Sequence, residues 1–428
     1  MTDFQLTTKR PTHPDVVVIG AGSAGFGAAR RLMKEGKSVI VLEAANRVGG
    51  RAWTQSETFG VPVDMGASWV SGADKNPYTK VARKKGYHLV DHTNAATDLF
   101  RLDKSRASRQ DLIDYHKTAK AVQKAMKKAG RKGRDVPASD VIPNDMPWAG
   151  AVQSWLGPMD YGFDFDQVST LDDWQSESDQ PSYFVREGLG AVVAEKATGL
   201  PIKLNTSVTH IDWSGEGVRV ETSDGTISAK ACVITVSTGV LASGAIRFTP
   251  ALPIAKIEAA HALPMGLLVK VPMMFDGARL GLGDNNWVTY QVPKDMPAKA
   301  CYFIAWPCGH DYLFGNIGGR LGWELSAEDP AVTVDFAMAE LVKLVGSDAR
   351  KHFIKGFRTD WANDPLTLGA YAAVEPGHFG AREVLEAPVG DRLFFAGEAM
   401  GGGRCALVSG AYNSGKRAAK KVVTALGG

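Results

Sequence analysis

Three observations predict an α/β chain of two domains, one on a parallel sheet and the other of mixed sheet and helix (α+β). A β-branched run, Asp15-Val16-Val17-Val18-Ile19, leads straight into Gly20-Ala21-Gly22-Ser23-Ala24-Gly25 and then into a helix-like stretch up to Gly36. Far away in sequence, Phe394-Phe395 reads as another buried strand. After it, Val408, Ala411, Tyr412, Gly415, Ala418, Ala419, Val422 and Val423 recur at helical period. The 428 residues are 44% hydrophobic and 22% charged, enough apolar material for two cores.

Each element follows from its local chemistry. Val16 to Ile19 suits a strand buried on both faces of a parallel sheet. In the turn after it, Gly20 permits the tight bend, Gly22 lets the backbone approach a pyrophosphate, and Gly25 lets the helix lie close to the strand. Ser23 opens that helix, whose N-terminus faces the phosphates. A second strand, 38–42, ends in Glu43 about twenty residues after the turn, where a carboxylate accepts ribose hydroxyls. This is a Rossmann-like dinucleotide site. Arg47-Val48-Gly49-Gly50-Arg51 then adds paired glycines between two guanidinium groups, which suits FAD, with its long pyrophosphate and ribityl chain, better than NAD. Segments 14–85, 188–258 and 364–428 are assigned to this FAD-binding domain, and 86–187 and 259–363 to the substrate-binding domain.

Composition excludes several classes. Forty-nine Lys and Arg against 46 Asp and Glu leave +3, too small a surplus for nucleic acid as the main partner. Cys232, Cys301, Cys308 and Cys405 form no CxxC pair and no regular ligand spacing, so neither a disulfide framework nor a metal site is expected. The first residues lack an apolar leader core and no stretch is apolar enough to span a membrane, which with the cysteines gives a soluble, cytoplasmic expectation. Residues 117–134 carry eight basic side chains and no acidic one and read as a solvated helix face. The stretch 160–179 carries Asp160, Asp164, Asp166, Asp172, Asp173, Glu177 and Asp179, and reads as a solvated loop or as an attractor for a cationic substrate.

Further motifs carry a family resemblance. Glu43-Ala44 through Arg51, then Asp64-Met65-Gly66-Ala67-Ser68-Trp69, resemble the signature and the flavin-side stretch of the flavin amine oxidases. Segment 188–208 resembles the family strand whose valine, here Val208, meets the adenine. Leu263-Pro264-Met265-Gly266 leading to Lys270 is similar to the segment whose lysine holds a water against the flavin. Trp361-Ala362-Asn363-Asp364-Pro365, followed by Gly369-Ala370-Tyr371, resembles polyamine oxidases and lysine demethylases. The resemblance implies the flavin amine oxidase fold, Lys270, Trp361 and Tyr371 as catalytic residues, and Trp69, Tyr371 and Leu407 as pocket walls. It further implies Gly397-Glu398 and Leu407-Val408 against the flavin. Ala370 stands where monoamine oxidases carry the cysteine that bonds to the flavin, so FAD is expected to be non-covalent. Leu407 replaces their second cage tyrosine, and Trp53 replaces the arginine with which amino-acid oxidases grip a carboxylate.

The resemblance thus implies oxidation of a primary or secondary amine, a polyamine above all, with O2 reduced to H2O2. A flavin dehydrogenase, desaturase or porphyrinogen-type oxidase, an L-amino-acid oxidase and a binding-only flavoprotein stay open at this point, as does a homodimer.

Overall fold

A computed structural model describes residues 10–143, 145–294 and 299–427. The first nine residues, part of the expectation of no leader, lie outside the described residues. Strands from all three expected cofactor segments meet in one five-stranded parallel sheet, in the order Leu393–Phe395, Ala231–Ile234, Val16–Ile19, Val39–Leu42, Ile202–Lys203. The first four are buried at every position, as double-sided packing requires. Thus Val16 and Val18 face one core while Val17 and Ile19 face the other.

The helix after the glycine turn, Ser23–Lys34, packs against the last helix, Val408–Ala425, across one face of this sheet. The crossing is close enough that a Cβ on Gly27 would overlap the Tyr412 carbonyl, and one on Gly415 the Ala24 carbonyl. The last helix starts at Val408, because Ala406 has φ +61° and ends the preceding turn in a left-handed conformation.

The second half is built on a six-stranded sheet ordered Phe353–Gly356, Leu268–Phe275, Tyr312–Gly318, Tyr302–Ile304, Trp287–Tyr290, Thr97–Phe100. Its strands all come from 86–187 and 259–363. The strand Leu268–Phe275 carries Lys270 inward, and the short pair Met265–Gly266 with Tyr371–Ala372 links this sheet to the C-terminal segment.

The basic stretch is a long helix, Arg109–Arg131, started by a capping box in which Ser108 and Asp111 exchange hydrogen bonds. Its cationic side chains from Lys117 to Arg131 are exposed.

The acidic stretch is a correction to the solvated-loop expectation. Residues Thr170–Gln175 form a helix packed on Arg109–Arg131, with Asp172 paired to Arg382 at 2.7 Å and Asp164 to Arg320 at 3.1 Å. Both aspartates are buried, and their cations arrive from segments more than 150 residues away, which no local pattern displays. No helix among the described residues is long and apolar enough to cross a membrane.

Candidate active site

The glycine turn and the Gly49-Gly50 turn face each other. Gly22 and Gly49 form a parallel bridge, with the Gly49 amide donating to the Ala21 carbonyl at 2.9 Å. Gly20 and Gly49 have φ of +102° and +99°, the region that favours glycine. A Cβ on Gly25 would overlap the Gly20 carbonyl, so the helix lies as close to the strand as the motif requires. Glu43 sits beside this turn. Its carboxylate accepts from the Ala21 amide at 2.7 Å and the Ala45 amide at 2.9 Å, while burial raises its pKa against those donors. The Thr206 amide donates to the Glu43 carbonyl at 2.8 Å, which carries Val208, at the start of its strand, to the same edge.

Two of the residues expected at the cofactor also make contacts within the protein. The Ser23 hydroxyl is 2.6 Å from the Tyr78 hydroxyl and donates to the Val408 carbonyl at 2.7 Å, so it staples the two helices and leaves only its backbone at the turn. The Arg47 guanidinium donates to the Gly50 carbonyl at 2.7 Å and stacks 4.2 Å over the Trp53 ring. It braces the second glycine turn. Ala44, between Glu43 and Ala45, offers only backbone and a methyl group and is half-buried.

Further in, Arg51 donates to the Ala370 carbonyl at 2.9 Å and to Glu398 Oε1 at 3.0 Å. The Ala372 amide also donates to Oε1, at 3.1 Å. Glu398 Oε2 is buried and has no partner. Gly397, just before it, is tied to the last helix through Ser414, whose hydroxyl receives the Gly397 amide at 3.0 Å. Leu407 is the residue preceding that helix and is half-buried with Val408; the Leu407 carbonyl accepts from the Ala411 amide at 3.0 Å. The residues fit FAD on two counts. A Cβ on Gly22 would meet nothing nearer than Gly49 O at 3.9 Å, which leaves open space where a pyrophosphate lies, and the orphaned Glu398 oxygen calls for a hydroxyl donor such as a ribityl chain provides.

The Asp64–Trp69 stretch is pinned at both ends. Asp64 accepts from Thr54 Oγ1 at 2.5 Å and from the Leu189 and Gly190 amides at 2.9 and 3.2 Å, so it caps the helix Leu189–Ala194 rather than facing the site. The Trp361 indole donates to the Met65 carbonyl at 3.0 Å, and the Ala67 amide to the Arg51 carbonyl at 3.2 Å. Lys270 Nζ donates to the Gly66 carbonyl and the Ser68 hydroxyl and stands 5.0 Å from the Phe314 ring centroid. Burial, partly opposed by Asp64, lowers its pKa to about 8. Lys270, Gly66, Ser68 and Trp361 are thus one unit.

Trp69 belongs to an aromatic wall that sequence reasoning missed. It stacks on Trp287 with centroids 5.5 Å apart, and Trp155 meets Trp287 edge-on at 4.6 Å. The Trp69 indole donates to His92 Nδ1 at 3.2 Å, so the proton of this imidazole lies on Nε2 and points to the Asn285 carbonyl at 2.8 Å. Burial lowers the His92 pKa. Tyr371 pairs with Gly266 and donates to the Met159 carbonyl at 3.4 Å, its pKa raised by burial and by Asp160 and Glu398. No sequence signal joined Trp155 and Trp287 to the site, because they lie in segments without motifs.

A profile of flavin containing amine oxidoreductases matches residues 23–176 and 168–423. The chain belongs to this family. It is therefore an FAD-dependent amine oxidoreductase. Over 95% of its length it is 31% identical to polyamine oxidase 4 of Oryza sativa subsp. japonica, covering 88% of that protein. It is 28% identical over 98% of its length to lysine-specific histone demethylase 2 of Homo sapiens, but spans only 54% of that protein. The solved structure of putrescine oxidase bound to putrescine superposes with a TM-score of 0.80 at 19% identity, covering 96% of this chain and 99% of that one, a likeness of fold.

Proposed function

We propose that this family member oxidises the C–N bond of a primary or secondary amine, a diamine or polyamine in particular, with O2 as acceptor and H2O2 as product. The observation that carries the reading is the unit of Lys270, Ser68, Gly66 and Trp361 beside the orphaned Glu398 oxygen. It is supported by the similarity to polyamine oxidases over nearly the whole chain.

Bound FAD supplies the acceptor for the hydride from the amine α-carbon, and the resulting iminium is hydrolysed by water to a carbonyl. The glycine turns, Glu43 and the Val208 edge would hold the adenine half, and Glu398 with Arg51 would meet the polyol. Ala370 has no nucleophile, so the cofactor stays non-covalent. Lys270 presents an ammonium close to neutrality, able to hold a water at Ser68 and to pass a proton there. Trp69, Trp155, Trp287 and Tyr371 supply apolar walls that orient an uncharged amine and keep bulk water out. Trp53 lies under Arg47 at the position where amino-acid oxidases carry an arginine that grips a carboxylate, which disfavours amino acids as substrates. Four unpaired cysteines suit a reducing, cytoplasmic location.

The test is anaerobic titration of the purified yellow protein with spermine, spermidine, putrescine, benzylamine and tyramine, following flavin absorbance near roughly 450 nm. Bleaching by the di- and polyamines, with one H2O2 per turnover in air, is expected. Bleaching by dithionite and by no amine overturns the reading.

A further inference from the structure

The basic helix Arg109–Arg131 takes no part in the active site. On its inner face Tyr115, Val122 and Met126 are buried against Trp148, Val152 and Phe165. On its outer face Lys117, Lys120, Lys124, Lys127, Lys128 and Arg131 are all exposed. At about 3.6 residues per turn and about 1.5 Å of rise per residue, these six fall within an arc of roughly 100° and along about 21 Å of helix, so they form one straight stripe. Lys132 and Arg134, also exposed, extend it past the helix end. Residues 117–134 thus hold eight of the 49 cations and none of the 46 acids, and the remainder of the chain is net negative.

None of the eight has an ion-pair or side-chain hydrogen-bond partner among the described residues. The acids near the helix are engaged elsewhere, Asp172 with Arg382, Asp173 with the Tyr161 hydroxyl, and Asp135 with the Ser169 hydroxyl and the Gly377 amide. Burial raises the Asp173 pKa, and Lys127, acting through space, offsets this only in part. Like charges three and four residues apart repel along a helix, so the stripe destabilises the fold unless something outside the chain neutralises it.

Two exposed apolar side chains flank the cations. Ile113 is 50% exposed and lies in the same arc, one turn before Lys117. At the other end Trp174 is 39% exposed and packs at Gly130, where an added Cβ would overlap it. A straight cationic stripe with an isoleucine and an indole at its ends matches a flat anionic surface over an apolar layer. The ammonium groups meet phosphates, while Ile113 and Trp174 reach the acyl boundary. A nucleic acid offers the phosphates but gives an isoleucine nothing to enter. We propose that the outer face of Arg109–Arg131 docks this protein on an anionic phospholipid bilayer. None of the docking residues belongs to the active site, so the inference is independent of the reaction.

The experiment is sedimentation of the FAD-loaded protein with vesicles of phosphatidylcholine, alone or mixed with phosphatidylserine. Binding to the mixed vesicles only is expected, at about 0.05 M salt and not at about 0.5 M, where the screening length falls below about 5 Å. Lys120→Gln, Lys124→Gln and Lys127→Gln together weaken it about 100-fold, the combined effect of three cations near such a surface. Ile113→Ser weakens it at least about threefold, through lost apolar burial. Both variants keep their flavin content and amine turnover in solution, which shows that they are folded. No sedimentation with the mixed vesicles, or equal sedimentation of wild type and the triple variant, overturns the proposal. So does a short DNA or RNA duplex that binds more tightly than the vesicles and is indifferent to Ile113→Ser, since that assigns the stripe to nucleic acid. Amine oxidation stands in each of these cases.

Discussion

Lys270 is the residue whose perturbation tests most of the site at once. Its ammonium is nearly inaccessible, donates to Gly66 and Ser68, and has its pKa lowered from 10.5 to about 8, chiefly by burial. That difference corresponds to about 3 kcal/mol of unfavourable charging in the folded state. The sign follows from proton counts. Between pH 8 and 10.5 the unfolded chain binds the proton that the folded chain has released, so stability rises with pH across this window and is independent of this group below about 8.

Lys270→Met removes the titration. The expected result is that the stability of wild type relative to the variant climbs by about 3 kcal/mol from pH 8 to 10.5, roughly 3–4 °C in unfolding midpoint for a chain of this size. Thermal unfolding with FAD in excess, at half-unit pH intervals, reads it. Taking the difference cancels Lys256, whose burial also lowers its pKa to about 8. Parallel curves for the two proteins would refute the reasoning, since Lys270 would then be solvated or neutral throughout. In the same variant kcat/KM with the preferred amine falls by about 100-fold, the contribution of a positioned proton donor, whereas undiminished turnover would remove Lys270 from the chemistry.

Three further outcomes follow from named contacts. Gly22→Ala keeps an ordinary backbone, since φ is −88°, but fills the space in front of Gly49; a folded, colourless protein by circular dichroism and absorbance is expected. Glu398→Gln replaces the carboxylate that receives Arg51 and Ala372 and weakens FAD binding by about 10- to 100-fold in a fluorescence titration, the range for a hydrogen bond to a charged group; unchanged affinity would show that Glu398 does not meet the cofactor. Arg382→Ala leaves Asp172 buried without its cation and loses about 3–5 kcal/mol in urea unfolding.

Features whose parts lie close in sequence were legible there. The strand, the glycine turn and Glu43 span fewer than thirty residues, and their spacing alone states that a backbone must approach a phosphate and a carboxylate must stand beside it. Lys270 was different. A lysine in a strand is usually a surface charge, and its family resemblance, not its chemistry, singled it out; its burial against Gly66 and Ser68 bears on that role only in three dimensions. Arg47 was read as a cofactor donor from its place beside the paired glycines; that its guanidinium also stacks over the Trp53 ring and braces the Gly50 carbonyl was visible only in three dimensions.

The residues by themselves determined the parallel sheet, because four apolar runs buried on both faces admit little else. They also determined the dinucleotide cradle, because only glycine fits φ near +100° and a backbone-to-backbone crossing. Tertiary structure alone decided which carboxylates of 160–179 are neutralised, since Arg320, Arg382 and Arg404 arrive from the other end of the chain. Electrostatic pairing depends on distance in space and not along the chain, and so an acidic run that looks uniform in sequence is divided among ion pairs to Arg320, Arg382 and Arg404 and a tyrosine contact at Asp173.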